Sequence, residues 1–207
     1  MSDDYPGAEE FLPEQRSLEA LRGAAPDCRG CPLYRGADHV VFGEGPADAE
    51  VMVVGEIPGR NEDEQGRPFV GRAGSALDEM LQKAGLDREA VFVTNTVKHI
   101  KWEEDSGNPR SPYVREIEAC RPWLESEIAI VEPGCIVALG TTAGRGLTGS
   151  PVTISKARGE LVGTQFDRSA VITYHPAAAL WAPSKQRRTE IREMVIADLE
   201  LAKDEAR

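Results

Sequence analysis

From Val40 onward the chain alternates short β-branched runs with longer amphipathic stretches, and this rhythm constrains its fold more than any other feature. Residues 51–54, 91–94, 136–139 and 171–173 read as strands. Residues 73–84, 113–131, 141–147 and 187–202 read as helices, the third opening at a threonine able to cap it. Strand and helix in alternation predict an α/β fold with a mostly parallel four-stranded sheet covered on both faces. Residues 161–162 and 170–173, separated by a polar turn around Asp167, also suit a hairpin. With 207 residues the chain suffices for one sizeable core, so one domain is expected over 25–207. Before it stands an acidic segment, 1–24, with one short helical candidate at 13–21.

The residues immediately after the strands are polar. Glu56 follows the first, Asn95 the second, the Gly140-Thr141-Thr142 turn the third and His175 the last. In open α/β sheets ligands bind outside the carboxyl ends of the strands, so Glu56, Asn95 and His175 should converge on one pocket. The first strand ends in Gly55-Glu56-Ile57-Pro58-Gly59-Arg60-Asn61-Glu62-Asp63, where Gly55 and Gly59 suit close approach of backbone to a ligand and three carboxylates follow. Gly71 and Gly74 suit a phosphate, with Arg72 between them, and Thr141 and Thr142 at a helix N-terminus offer a second contact.

Twenty-four Lys and Arg against 35 Asp and Glu give a net charge of −11. That excludes a protein that grips nucleic acid mainly through a basic surface and leaves room only for a local basic groove. Lys156, Arg158, Lys185, Arg187 and Arg188 are its candidates, with Lys98, Lys101 and Arg110 as an extension. Each also reads as an ordinary solvated charge. Asp3, Asp4, Glu9, Glu10 and Glu14 at one end, and Glu200, Asp204 and Glu205 at the other, read as solvated termini. No apolar run approaches the ~20 residues of a membrane span, and the first twenty residues lack a basic and apolar leader pattern, so a soluble cytoplasmic protein is expected.

Thiols in that compartment stay reduced, which disfavours disulfides. Cys28 and Cys31 form a C-x-x-C pair, and Cys120 and Cys135 complete the inventory of four. One close pair and two distant cysteines make a metal or cluster site only if the fold gathers them. Otherwise Cys120 and Cys135 are small core residues.

Several longer stretches carry a resemblance. HVVFGEG from His39, VMVVGEIPGRNEDEQGRPFVGRAG from Val51, VTNTVK from Val93, EACRPWL from Glu118 and YHP from Tyr174 resemble the family 4 uracil-DNA glycosylases, in order and over most of the chain. VKHIK from Val97 looks more like the UdgX branch, where a histidine on a basic loop captures the sugar covalently. Here the following residues 102–112 are acidic and contain no histidine, so covalent capture is not carried over. Ile57 stands where family 4 usually has Ala, Arg60 where the UdgX branch has an acid, and Trp181 where Arg is frequent.

The resemblance implies a three-layer α/β/α sandwich, a [4Fe-4S] cluster on Cys28, Cys31, Cys120 and Cys135, and hydrolysis of the N-glycosidic bond of deoxyuridine in DNA by a monomer with no membrane partner. The base must leave the stack to be reached. Phe69 matches the aromatic that stacks on it, or else is a core ring beside a turn. Asn95 suits uracil, accepting from N3–H and donating to O4, unless it caps the turn after its strand. Glu56 and Glu62 match the carboxylates nearest the sugar and its water, with Asp63 as helper or as partner to an arginine. His175 would donate to uracil O2, or is a satisfied structural histidine. Gly55, Ile57 and Gly59 complete the substrate set; Arg72, Lys98, Arg110, Arg158, Lys185 and Arg187 complete the DNA set, with weak and strongly salt-sensitive binding expected at −11. Two rivals stand beside this reading: a glycosylase for hypoxanthine or xanthine, and a non-catalytic iron–sulfur DNA-binding module.

Overall fold

A run such as Val51-Met52-Val53-Val54 is apolar at every position, which suits a strand covered on both faces rather than one with a wet side. In a computed structural model, describing residues 5–103 and 105–207, this run lies in β1 (Val51–Gly55), buried along its whole length. β2 (Phe92–Asn95), β3 (Cys135–Leu139) and β5 (Ser169–Thr173) run parallel to it, and β4 (Leu161–Gly163) pairs antiparallel with β5. The order across the sheet is β2-β1-β3-β5-β4, five strands where four were expected. The extra strand is the anticipated hairpin: at three residues, half exposed on the sheet edge, it has no buried run to announce it.

The helices are α1 (Leu18–Ala24), α2 (Arg60–Gln65), α3 (Arg72–Lys83), α4 (Val114–Val131), α5 (Gly140–Thr148), α6 (Ile154–Ala157), α7 (Pro176–Trp181) and α8 (Lys185–Glu205). On one face of the sheet, Val51, Val53 and Val137 pack with Leu77 and Met80 of α3, Ala179 of α7, and Val195 and Leu199 of α8. On the other, Met52, Val54 and Ile136 pack with Leu124 and Ile128 of α4 and Leu147 of α5. The result is the three-layer α/β/α sandwich.

A third apolar cluster joins Leu21 of α1 and Ala8 to Cys28, Phe42, Ile117, Cys120 and Trp123. The acidic N-terminal segment 1–24 packs on the domain over its described residues, with the Gly7 amide donating to the Gly30 carbonyl at 3.1 Å. Its helix begins at Leu18, where the Ser17 hydroxyl accepts from the Ala20 amide, rather than at Pro13. Asp3, Asp4 and Glu104 lie outside the described residues. Because β1 and β2 pair in register with Gly55 beside Asn95, the polar residues after these strands emerge together at the carboxyl edge of the sheet.

Candidate active site

Gly55 is where the pocket is made. A Cβ there would fall on Asn95 Oδ1 and within 2.6 Å of Phe69 Cζ, so only a glycine lets the amide and the ring meet beside the strand end. Asn95 is buried and its side-chain amide makes no hydrogen bond to any described residue, while its backbone carbonyl accepts from Lys98 Nζ at 2.7 Å. The Asn95 amide therefore serves neither as a turn cap nor as a structural tie.

Phe69 holds φ at 57°, a left-handed conformation unusual for a side chain of its size. The loop is fixed there from two sides. Glu62 Oε1 in α2 accepts from the Gly71 amide at 2.8 Å, and Gly74 packs so tightly under the Phe69 carbonyl that a Cβ has no space. So held, the Phe69 ring lies 24° from the plane of the His175 imidazole, centroids 6.3 Å apart.

His175 ends the crossing from β5 and caps α7, its Nδ1 accepting from the Ala177 amide at 3.2 Å. That bond fixes the tautomer: with Nδ1 an acceptor, the proton of the neutral ring sits on Nε2. Burial holds the imidazole below its ordinary pKa, with Glu56 and Glu62 pulling it partly back up. Both carboxylates therefore lie within electrostatic reach of the ring. Glu56 Oε1 is buried with no hydrogen-bond partner among the described residues. An orphaned carboxylate oxygen beside a neutral imidazole, an unengaged amide and an aromatic face is costly for folding and calls for a ligand or water. The arrangement can stack a planar ring, read its amide edge, donate to an oxygen that gains charge, and hold a water or a cation.

A uracil DNA glycosylase superfamily model matches residues 42–200, which span β1 through most of α8. The chain belongs to the uracil-DNA glycosylase superfamily. It is similar to the type-4 uracil-DNA glycosylase of Thermotoga maritima, 38% identical over 187 residues, covering 90% of this chain and 93% of that protein. The type-4 enzyme of Sulfurisphaera tokodaii is 39% identical over 193 residues, covering 87% and 86%. That of Pyrobaculum aerophilum is 39% identical over 176 residues, covering 81% and 86%.

Within this superfamily member several expected residues take other roles. Asp63 is buried and its carboxylate accepts from the amides of Asp38 and His39 at 3.1–3.2 Å, while its carbonyl pairs with His39 Nδ1 at 2.7 Å. It fastens the 36–39 loop, and among the described residues its carboxylate makes no ion pair with an arginine. Ile57 packs half-buried against the cluster around Phe42 and Trp123. Gly59 leaves room for Glu62, whose Oε2 a Cβ would meet at 2.7 Å. Arg60 and the acidic loop, two separate departures in sequence, touch each other: the guanidinium lies over the Trp102 ring at 4.7 Å and donates to the Gly107 carbonyl at 3.2 Å.

The expected basic groove is thinner than the sequence suggests. Lys98 is fully buried and paired with Glu127 at 2.7 Å, so it meets no phosphate. Lys101 is buried against Glu116 at 2.8 Å. Arg158 forks onto Asp198 at 2.9 and 3.2 Å and ties β4's approach to α8. A lysine four residues after Thr94, with a glutamate on the facing helix, was the only sequence hint of the first pair. Arg72, Arg110 and Lys185 are exposed and Arg187 is half-exposed. Arg72 lies over Trp181, 4.6 Å from the ring, and Trp181 is 66% exposed, a contact no spacing announced. Thr141 is exposed within the first turn of α5, which starts one residue earlier at Gly140.

The cysteines divide. Burial pushes the Cys31 and Cys120 thiols up, with the neighbouring Cys28 adding to both and Cys31 adding to Cys120, and Cys28 and Cys120 share the core cluster around Trp123. Cys135 lies on the α3–α7–α8 face of the sheet, and burial and Glu205, not the other thiols, push it up to about 11. The expected four-cysteine ligand set therefore does not assemble.

Proposed function

We propose that this chain removes uracil from DNA by hydrolysing the N-glycosidic bond of a flipped nucleotide, leaving an abasic site and releasing both products. One observation carries the reading: the free Asn95 amide, the Phe69 face, the Nε2–H of a neutral His175 and the orphaned Glu56 oxygen meet at one strand edge. Asn95 accepts from uracil N3–H and donates to O4, whereas cytosine offers an unprotonated N3 and an amino group and leaves both Asn95 functions unpaired.

As the C1′–N1 bond breaks, its electron pair leaves on uracil and positive charge grows on the sugar. His175 Nε2–H donates to O2 as that charge arrives, and the neutral ring does so without surrendering its proton. Glu56 faces the sugar and orients the water; the water oxygen bonds to C1′ and its proton passes to the Glu56 carboxylate. Glu62 adds a second negative charge while its Gly71 bond holds the stacking loop. Arg72, Trp181, Lys185, Arg187 and Arg110 form the DNA-facing rim in this reading. Among the described residues no helix is long and apolar enough to cross a membrane. A monomer acting on intracellular DNA fits the site, which is completed by one chain.

A [4Fe-4S] cluster is part of the same reading. Cys28, Cys31 and Cys120 lie on one side of the sheet and are the thiols that would hold it, although among the described residues no three His, Cys, Asp or Glu side chains stand together as a metal site, and Cys135 lies on the other face. Bound there, the group would cross-link the 28–31 turn to α4, a structural role. The test of the function is a substrate panel: strands carrying one uracil, hypoxanthine, xanthine or cytosine, assayed for the free base. Release of uracil alone is expected; release of hypoxanthine or xanthine without uracil would overturn the reading.

A further inference from the structure

The outer edge of β2 is covered by the chain around Glu44. Glu44 and Val93 face each other antiparallel and exchange backbone bonds at 2.8 and 2.9 Å. Continued in the same register, this pairing would set Phe42 against Asn95 as the next exchanging pair. No such bond forms among the described residues, because a fully buried ion pair stands in the seam. The Lys98 ammonium donates to the Asn95 carbonyl at 2.7 Å, and Glu127 of α4 accepts from the Gly43 amide at 3.0 Å. The other two Lys98 donors reach Glu127 and the Thr94 hydroxyl, each at 2.7 Å, so all three are engaged. The peptide after Asn95 is therefore gripped at both ends, since its N–H, on Thr96, donates to the Gly55 carbonyl at 2.9 Å. Only the Asn95 side chain is untied.

An untied amide reads a base only as well as its backbone is placed. Turned by 180° it would offer its NH2 group to N3 and its oxygen to an exocyclic amine, which is the pattern cytosine accepts. Asn95 Oδ1 and Phe69 Cζ converge on the space over Gly55, and that packing can hold the amide plane only while the Asn95 backbone stays where it is. Fold stability does not account for the ion pair, because apolar side chains of the same volume serve a core at least as well. We propose that Lys98 and Glu127 are positioning residues for base recognition: the pair fixes the strand end from which the Asn95 amide reads uracil. The assignment rests on the reading that Asn95 recognises uracil. Lys98 and Glu127 touch neither base nor sugar in it and act through Asn95.

A double-mutant cycle on the full chain tests this, with single-turnover release of uracil from a single-uracil oligonucleotide as one readout. The other is the NMR signal of the Asn95 side-chain amide in the free protein, assigned by its loss in Asn95→Ala. Replacing the pair, as Lys98→Met with Glu127→Leu, is expected to slow release at least about 10-fold and to broaden or split the amide signal. In the Asn95→Ala background the same replacement is expected to change the rate less than about 2-fold, because the residue it acts through is gone. Leu199→Ala, a cavity variant in the helix layer of the opposite face, is expected to lose stability and leave both readouts unchanged. Equal losses in both backgrounds, an unchanged rate and amide signal in the paired variant, or the same losses in Leu199→Ala would each overturn the assignment. If the paired variant fails to fold, Thr94→Val decides: it keeps the shape, removes the hydroxyl between Lys98 and Glu127, and is expected to disturb the amide signal in the same way. A wild-type protein that releases no uracil overturns the uracil reading, and the amide signal alone then decides the positioning role.

Discussion

The Phe69 ring and the His175 imidazole face each other at 6.3 Å, 24° from parallel, across the end of the sheet. Gly55 is the residue that permits it, because its missing side chain leaves space for Phe69 Cζ and Asn95 Oδ1 together. Gly55→Ala is expected to displace both and lower kcat/KM on uracil DNA by about 10-fold or more, with about 1–3 kcal/mol lost from overpacking. Steady-state kinetics beside denaturant unfolding check this. Unchanged kinetics would mean that the close approach is incidental.

Beneath Asn95 lies a fully buried ion pair. Lys98 Nζ meets Glu127, Thr94 Oγ1 and the Asn95 carbonyl, each at 2.7 Å, and Glu127 also accepts from the Gly43 amide at 3.0 Å. Removing one member leaves an uncompensated charge in the core, so Lys98→Met and Glu127→Leu are each expected to cost about 3–5 kcal/mol. The double variant should cost less than the sum of the two, because neither charge is then stranded. Denaturant titrations of all four proteins measure the coupling.

Much of this arrangement is legible in the sequence. Apolar runs such as 51–54 and 136–139 are strands because continuous β-branched residues can only be buried on both sides, and the polar residues after them must then share an edge. What periodicity does not show is pairing across the fold. Lys98 reads as a surface charge until Glu127 is seen opposite it, and Asp63 reads as a third catalytic carboxylate until its oxygens are seen on the amides of 38 and 39. Cys135 failed as a ligand for a related reason: the parity of a strand position decides which face a side chain takes, and the thiols that gather lie across the sheet. Short α2 and α7 escaped because six residues give no clear helical period, and both carry site residues or their supports.

The His175 tautomer sets a pH expectation. Burial lowers its folded-state pKa below the ordinary value near 6.5, so above that value the ring is neutral in folded and unfolded chains alike. As pH falls through about 6.5 the unfolded chain binds a proton that the native site refuses, and stability declines until the folded pKa is passed. His175→Gln is expected to remove that part of the acid slope while lowering kcat, since a glutamine amide is a weaker partner for a developing anion. Unfolding measured from about pH 7 down to about pH 5 on both proteins tests it. Identical slopes would show that the imidazole titrates normally.

Trp181 projects from α7 at 66% exposure with the Arg72 guanidinium against its ring at 4.6 Å, on the rim beside His175. A base stacked on that indole is worth about 1–3 kcal/mol. Trp181→Ala is therefore expected to weaken single-stranded DNA binding about 10- to 100-fold with the fold intact, and Trp181→Phe to restore most of it. Fluorescence anisotropy with a labelled oligonucleotide, repeated at several salt concentrations, separates stacking from charge, because stacking loss leaves the salt slope unchanged.

The central claim is hydrolytic removal of uracil at the Asn95–Phe69–His175 edge, and an end-labelled oligonucleotide with a single uracil tests it most directly. Incubated with the protein and then heated in alkali, the strand is expected to break at the uracil position, to remain whole without alkali, and to run free of protein in denaturant. A strand left intact after alkali, or a protein–DNA species that survives denaturant, would contradict the account.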